Sequence, residues 1–305
     1  MLTAEVADVL TALGVVPDVA ARSPGAISSS GGMSGARVVP GHDRRGRPVV
    51  VKIAGHDLPG AAAAAARELA VYTRLAPSHR LPTPRLLAAR VEEHRTVLVL
   101  SRHRPAPAAE RWPAELWRAL VDALVVVHQT DVPTGTGTWS WTPEPGLLLS
   151  GPDRAVVDRL WSEPDDQRCL AVVHEQLAEL EAAAAGPDRV LSHGDCHPGN
   201  VLLDGDRLLL TDWQGARLGA SCADLAFVLI RAVPSGAVVP RDELLARYAA
   251  GRGLAPAELG RAVTAAQLLT LTRQYPHFAG YLGAGGRARL RSALHRLTAE
   301  WRASR

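Results

Sequence analysis

The segment LSHGDCHPGN, residues 191–200, and the run LLLTDW, residues 208–213, gather His193, Asp195, His197, Asn200 and Asp212 into one short stretch. Between Asn200 and Asp212 lies VLLDGDRLLL, two apolar runs of strand length around Asp-Gly-Asp, which is the composition of a hairpin turn. A hairpin folds its ends together. Asn200 before the first strand and Asp212 after the second are therefore expected at the same end. An amide oxygen beside a carboxylate, with no thiol required, suits a hard, oxygen-seeking cation such as magnesium. Asp195, on the same loop as Asn200, is then placed to accept a proton from an attacking hydroxyl. A polar turn followed by an ordinary hairpin does not account for Asn and Asp at both of its ends. His193 and His197 together with Asp195 offer a zinc or manganese site as an alternative. The expected role of these two histidines is structural, because a loop histidine usually positions backbone or a neighbouring carboxylate.

The second chemical signal is PVVVKIAG, residues 48–55. Lys52 is the only lysine among 305 residues, and the remaining Lys and Arg positions, out of 34, are all arginine. An arginine would keep the charge but present a wide planar fork, whereas an ammonium is compact and carries three rotatable donors. By itself Lys52 reads equally as a solvated charge and as a ligand for oxyanions. The glycine-rich GGMSG, residues 31–35, does not complete G-x-G-x-x-G. No G-x-x-x-x-G-K-[ST] exists, since the only lysine follows a valine run, so a P-loop enzyme is excluded.

These groups need elements to hold them. Residues 28–55 combine a glycine-rich start, a turn-rich middle and a β-branched run, which suits two or three antiparallel strands. LPGAAAAAARELAVYTRLA, residues 58–76, has strong helix formers, no internal proline, and Glu68, Tyr72 and Leu75 at helical spacing. TVLVLS, residues 96–101, has strand length, and the proline-rich RHRPAPAAERWP after it looks like a linker. AELWRALVDALVVVHQT and CLAVVHEQLAELEAAAA read as helices, with a loop-like TGTGTWSWTPEPGLLLSGPD between them. From Asp224 onward the pattern is helical again. The expected organisation is a strand-rich part over residues 1–101, a hinge or linker over 102–112, and a helical part over 113–305 that carries the loop.

Composition narrows the classes further. The net charge of +3 is small for this length, and no Lys/Arg-dense tract interleaves with aromatics, so nucleic acid is not an expected partner. No apolar run approaches the ~20 residues of a membrane span. MLTAEVADVLTALGVV lacks a basic leader and reads as an amphipathic helix, so a signal peptide is not expected and a cytoplasmic location is. Three cysteines, Cys169, Cys196 and Cys222, without C-x-x-C spacing argue against structural disulfides and a zinc knuckle.

HGDCHPGN followed by TDW resembles the aminoglycoside phosphotransferase and choline kinase family, a branch of the protein-kinase-like fold. RLPTPRLLA before the TVLVLS strand and ADLAFV after the second aspartate also look like family features. The resemblance covers most of the chain. It implies an α+β, bilobal architecture with a small antiparallel-sheet N-lobe that binds the nucleotide and a larger, mostly helical C-lobe that carries the acceptor site. It implies a kinase that transfers the γ-phosphate of ATP or GTP to a hydroxyl, with Asp195 as the catalytic aspartate and Asn200 and Asp212 as ligands of Mg2+. Asp212 stands where protein kinases have the aspartate of DFG. Lys52 matches the strand lysine that contacts the α- and β-phosphates, and Glu68 is its expected carboxylate partner, with Glu92 and Glu93 as alternatives. Residues 99–102, among them Val99 and Ser101, would offer backbone groups to the purine. If GGMSG covers the nucleotide, Ser34 and its neighbours present amides to phosphate. Asp224 is either a second functional carboxylate or, as expected, a brace for the loop or a cap for the following helix. Cys196 is expected to be a bystander, because direct transfer needs no covalent enzyme intermediate.

For the acceptor, residues 241–305 hold Asp242, Glu243, Glu258 and Glu300 as their only acidic groups, against eleven arginines. A site for a polycation should be rich in carboxylates. The expected acceptor is a neutral or weakly charged hydroxyl compound of antibiotic type, which would make the protein a resistance enzyme. A kinase for a sugar, choline-like alcohol or homoserine is the alternative, and a nucleotide-binding regulator without turnover is a third. The absence of HRD, DFG and APE speaks against a protein kinase.

Overall fold

The structure is a computed structural model that describes residues 4–18, 36–132, 152–186 and 188–304. Its first part is a five-stranded antiparallel sheet. The strands are β1 Val15–Pro17, β2 Arg37–Asp43, β3 Pro48–Gly55, β4 Leu86–Val91 and β5 Arg95–Ser101, in spatial order β1-β2-β3-β5-β4. Side chains alternate across a strand, and that alternation sorts the sheet. Val49, Val51 and Ile53 of β3 and Val97 and Val99 of β5 bury one face under Val9 and Leu10 of α1, Ala4–Ala12. Leu98 and Leu100 point the other way, into the main core. Lys52 pairs across the ladder with Leu98 and so stands on that second face.

α2, Ala61–Ala70, lies against the same face and passes through a π turn, Val71–Leu75, into α3, Ala76–His79. The helix ends at Arg80, which has a left-handed φ of 51° just ahead of Leu81-Pro82, where helical geometry is disfavoured. The proline-rich linker contributes a two-residue edge strand, β6 Arg104–Pro105, where a missing N–H is tolerated.

The second part is mostly helical. It comprises α4 Ala114–His128, α5 Pro152–Leu160, α6 Pro164–Glu175 and α7 Leu177–Ala184, then β7 Arg189–Ser192, β8 Val201–Asp204, β9 Arg207–Leu210 and β10 Arg217–Ala220. After these come α8 Ser221–Ala232, α9 Arg241–Arg252, α10 Pro256–Leu269 and α11 Ala284–Ala303. β8 and β9 form the expected hairpin, with Val201 opposite Leu210 and Gly205 in the turn at φ 59°. β10 returns beside β7. One core joins Leu98 and Leu100 of the sheet to Trp117, Leu120 and Leu124 of α4 and to Trp213. A second gathers Trp161, Leu180, Leu268, Leu294 and Trp301. Each fully buried leucine contributes roughly 1.5–3 kcal/mol, so the two parts are packed together by the same apolar surface that floors the site.

Several expectations are corrected. The N-terminal helix stops at Ala12, because Gly14 takes φ 70° and the β-branched Val15 and Val16 join the sheet edge. The helix expected over residues 169–185 begins earlier and is two, broken at Gln176. β4, inside RLPTPRLLAARV, carries no clear alternation and is partly exposed at the sheet's edge. The loop expected between α4 and α5 lies almost wholly outside the described residues. Among the described residues no helix is long and apolar enough to cross a membrane.

Candidate active site

Lys52 sits in mid-β3, and its three donors are matched by three acceptors. Nζ donates to Glu68 Oε1 at 2.9 Å, to Glu68 Oε2 at 2.7 Å and to Asp212 Oδ1 at 2.7 Å. Lys52 is 7% exposed and Glu68 1%. Burial works against the ammonium, but the two facing carboxylates outweigh it and hold its pKa above the usual lysine value. Of the candidate carboxylates, Glu68 is therefore the one beside Lys52. Glu92 instead pairs with Arg90 and Arg95, and Glu93 is exposed beside His94.

Asp212 follows β9 in the left-handed region, φ 66°, ψ 63°. Aspartate tolerates that conformation better than most residues, at a cost of about 1–2 kcal/mol. Its neighbours fix it. Trp213 is fully buried, donates from its amide to Glu68 Oε1 at 3.3 Å, and donates from its indole to Thr83 Oγ1 at 3.0 Å and Leu210 O at 3.1 Å. Thr83 and Trp213 were not foreseen as structural parts of the site, and a tryptophan directly after the aspartate was the available signal.

The loop between β7 and β8 is pinned from below by Asp224. The amides of His193 and Gly194 donate to its carboxylate at 2.7 and 2.9 Å, and His128 Nε2 stands 3.1 Å from it. His128 Nδ1 in turn meets the Tyr248 hydroxyl of α9 at 2.5 Å. Burial alone would push the Asp224 carboxyl up. The bond from His128 and the loop amides hold it far below the ordinary aspartate value instead. Asp224 is thus a brace for the loop. Gly194 takes φ 78°, and a Cβ there would lie 2.1 Å from the carbonyl oxygen of Gly215, so only glycine lets the two loops approach.

Asp195 is at the exposed lip of this loop, with 42% of its side chain accessible. Asn200 Nδ2 donates to its Oδ2 at 3.1 Å and to its backbone oxygen at 2.9 Å. Burial opposes ionisation of Asp195, but His197, His193 and Asn200 together bring its pKa below the usual carboxylate value. The amide of Thr211 donates to Asn200 O at 3.0 Å, so the two ends of the hairpin do meet. With its Nδ2 spent on Asp195, Asn200 has Oδ1 as its remaining hard donor, and Asp212 supplies a carboxylate. Two oxygen ligands of this kind fit a divalent cation that completes its shell with water and phosphate oxygens.

The zinc alternative is not supported by the arrangement. His193 Nδ1 accepts from the Asp195 amide at 3.3 Å and its Nε2 meets Thr211 O at 3.0 Å, so both ring nitrogens are engaged. Among the described residues no cluster of three or more His, Cys, Asp and Glu side chains is disposed to hold a metal. Cys196 is fully buried, which pushes its thiol well up and leaves no nucleophile. Val99 lies inside the sheet, opposite Val51 and beside Ala88, and is 2% exposed. The Ser101 amide donates to Arg85 O at 2.9 Å, and its hydroxyl accepts from the Arg85 amide at 2.9 Å. Ser34 and the glycine-rich segment around it lie outside the described residues.

A small antiparallel sheet set against a larger helical part, with a buried lysine–glutamate pair at their junction, defines a bilobal protein of the protein-kinase-like fold. The sequence pattern of the phosphotransferase enzyme family matches residues 28–262, and the chain belongs to that family. It is a phosphotransferase acting on hydroxyl groups. The fold is similar to amicoumacin kinase hAmiN, solved with AMP-PNP, Ca2+ and Ami, at 13% identity and TM-score 0.62, covering 98% of this chain and 94% of that one. It is similar to macrolide 2'-phosphotransferase MphH from Brachybacterium faecium at 21% identity and TM-score 0.58, covering 94% and 96%. It is also similar to a Plasmodium vivax ethanolamine kinase at 10% identity and TM-score 0.57, covering 86% and 80%. At these identities the likeness concerns the fold alone. No curated protein matches the sequence.

Proposed function

We propose that the protein is a small-molecule kinase that moves the γ-phosphate of ATP or GTP to a hydroxyl of an antibiotic-like or metabolite acceptor that does not carry several ammonium groups. The observation that carries this is the ion pair of Lys52 with Asp212, 160 positions apart in the chain, which ties the sheet to the segment after β9, itself bonded through the Thr211 amide to Asn200 on the loop bearing Asp195. Lys52, oriented by Glu68, holds phosphate oxygens. Asp195 orients the acceptor hydroxyl and takes its proton as the new oxygen–phosphorus bond forms. The bond from the γ-phosphorus to the bridging oxygen breaks, and its electron pair leaves with the nucleoside diphosphate. Asn200 and Asp212 would hold divalent metal, Mg2+ in our reading, which supplies positive charge to the phosphate oxygens. The acidic poverty of residues 241–305 supports a non-polycationic acceptor.

The test is incubation with ATP or GTP, magnesium and a panel of hydroxyl compounds, read by mass gain of one phosphate. Asp195→Asn is expected to lower kcat by about 10²–10⁴-fold, the usual worth of a general base, with nucleotide affinity little changed. An unchanged rate refutes the role of Asp195. Nucleotide binding with no transfer to any acceptor makes the protein a regulator instead.

A further inference from the structure

Beside the braced loop, between α7, α8 and α10, is a cleft of about 440 Å³, within the range of small-molecule sites. Gly194 lines it directly before Asp195, and Phe227 of α8 forms part of its wall. The Phe227 ring is 6.3 Å from that of His197, whose Nε2 is 3.7 Å from Asp195 Oδ2, so the cleft's wall adjoins the loop's carboxylate. α10 loses its regular geometry at this wall: the π turn Thr270–Gln274 brings Thr270, Arg273 and Gln274 to the cleft. Such turns recur at functional sites.

The charges decide what the cleft receives. Its described lining holds three guanidiniums, Arg189, Arg217 and Arg273, and two carboxylates, Glu181 and Asp224. Both carboxylates are committed. Glu181 is bound by Arg273, and Asp224 serves two loop amides and His128. Each carboxylate therefore already has an N–H partner, and the described lining carries one guanidinium more than it has carboxylates. The guanidiniums are engaged too, Arg189 with Ala185 O, Arg217 with Gly215 O and Arg273 with Glu181, but each carries five donors in a planar fork, so a ligand carboxylate or phosphate can add to them, while alanine, leucine and phenylalanine side chains supply an apolar wall.

Resting on the kinase reading above, we infer that this cleft is the acceptor site and that it takes a hydroxyl compound with an apolar body and one anionic group. Arg273 is the determinant of that preference, because it both neutralises Glu181 and faces the ligand.

The experiment uses the full chain with ATP, magnesium and four acceptor sets of similar size: hydroxycarboxylic acids, sugar phosphates, neutral polyols, and amino alcohols with aminoglycosides. The expected result is transfer to one of the two anionic sets with kcat/KM about tenfold or more above the amino compounds, a difference of about one charge-assisted contact. Which of those two sets is used separates carboxylate from phosphate. Arg273→Gln, which exposes Glu181, is expected to lose about tenfold on the anionic acceptor and to gain on amino compounds; Arg273→Lys, which keeps the charge, retains the wild-type order and serves if the first variant does not fold. Preference of the wild type for neutral or amino acceptors overturns the inference and leaves the kinase reading standing. Phosphate transfer to no set, with no nucleotide turnover, overturns both.

Discussion

Replacing Lys52 by methionine keeps an unbranched apolar stem and removes only the ammonium. The lysine is 7% and Glu68 1% exposed, so little solvent is available to compensate Glu68. What remains to Glu68 is the Trp213 amide at 3.3 Å. Removing one partner of a buried pair costs about 3–5 kcal/mol. Asp212, a quarter exposed, adds little to that because water screens it. The double variant Lys52→Met with Glu68→Met removes the stranded carboxylate as well, and apolar replacement of whole buried pairs is often neutral or better. The double variant should therefore be more stable than Lys52→Met alone. Urea unfolding followed by tryptophan fluorescence and far-UV circular dichroism measures this, read as midpoint shifts at constant slope where the two transitions coincide. Both variants should lose nucleotide affinity by calorimetry. If the costs of Lys52→Met and of Glu68→Met, each measured singly, simply add in the double variant, the two side chains are not coupled. If Lys52→Met binds ATP as the wild type does, its phosphate role is wrong.

Two further outcomes concern the loop. The Asp224 carboxyl is held below its reference value of 3.8, so its stabilisation is complete above about pH 4 and is lost as pH falls through the folded-state value; Asp224→Asn should be less stable at neutral pH and show a flatter acid limb, and an unaltered acid limb would exclude the brace. Gly194→Ala places a Cβ 2.1 Å from the Gly215 oxygen at φ 78°, and should lower kcat about 10²-fold by misplacing Asp195 while nucleotide binding changes less; wild-type turnover would mean that the loops do not touch in solution.

The polar parts of the site were legible because their spacing is written locally. Asn200 and Asp212 flank eleven residues whose apolar runs and Asp-Gly-Asp turn dictate a hairpin, and Val201 opposite Leu210 is that hairpin. Lys52 stood out through composition alone. The supports were harder to foresee. Asp224 as a brace was anticipated, but its partners His128 and Tyr248 lie in α4 and α9, and nothing in either helix's periodicity marks a buried histidine as bound to a carboxylate 96 positions away. The edge strand β4 was missed because an exposed edge needs no alternation, and its pairing with β5 is decided by the sheet it joins. The cleft beside the loop draws on α7, β7, β10, α8 and α10. Its chemistry depends on which arginine meets which glutamate in space, and residue counts over 241–305 approach that only on average.

An ammonium has three protons, and at Lys52 each is already given away, two to Glu68 and one to Asp212. Two negative charges thus face one positive charge, and the locality carries a deficit of one. A bare polyphosphate entering there would deepen that deficit, while one arriving with its counter-cation would cancel it. Electroneutrality at a single side chain therefore favours admission of the nucleotide as its salt.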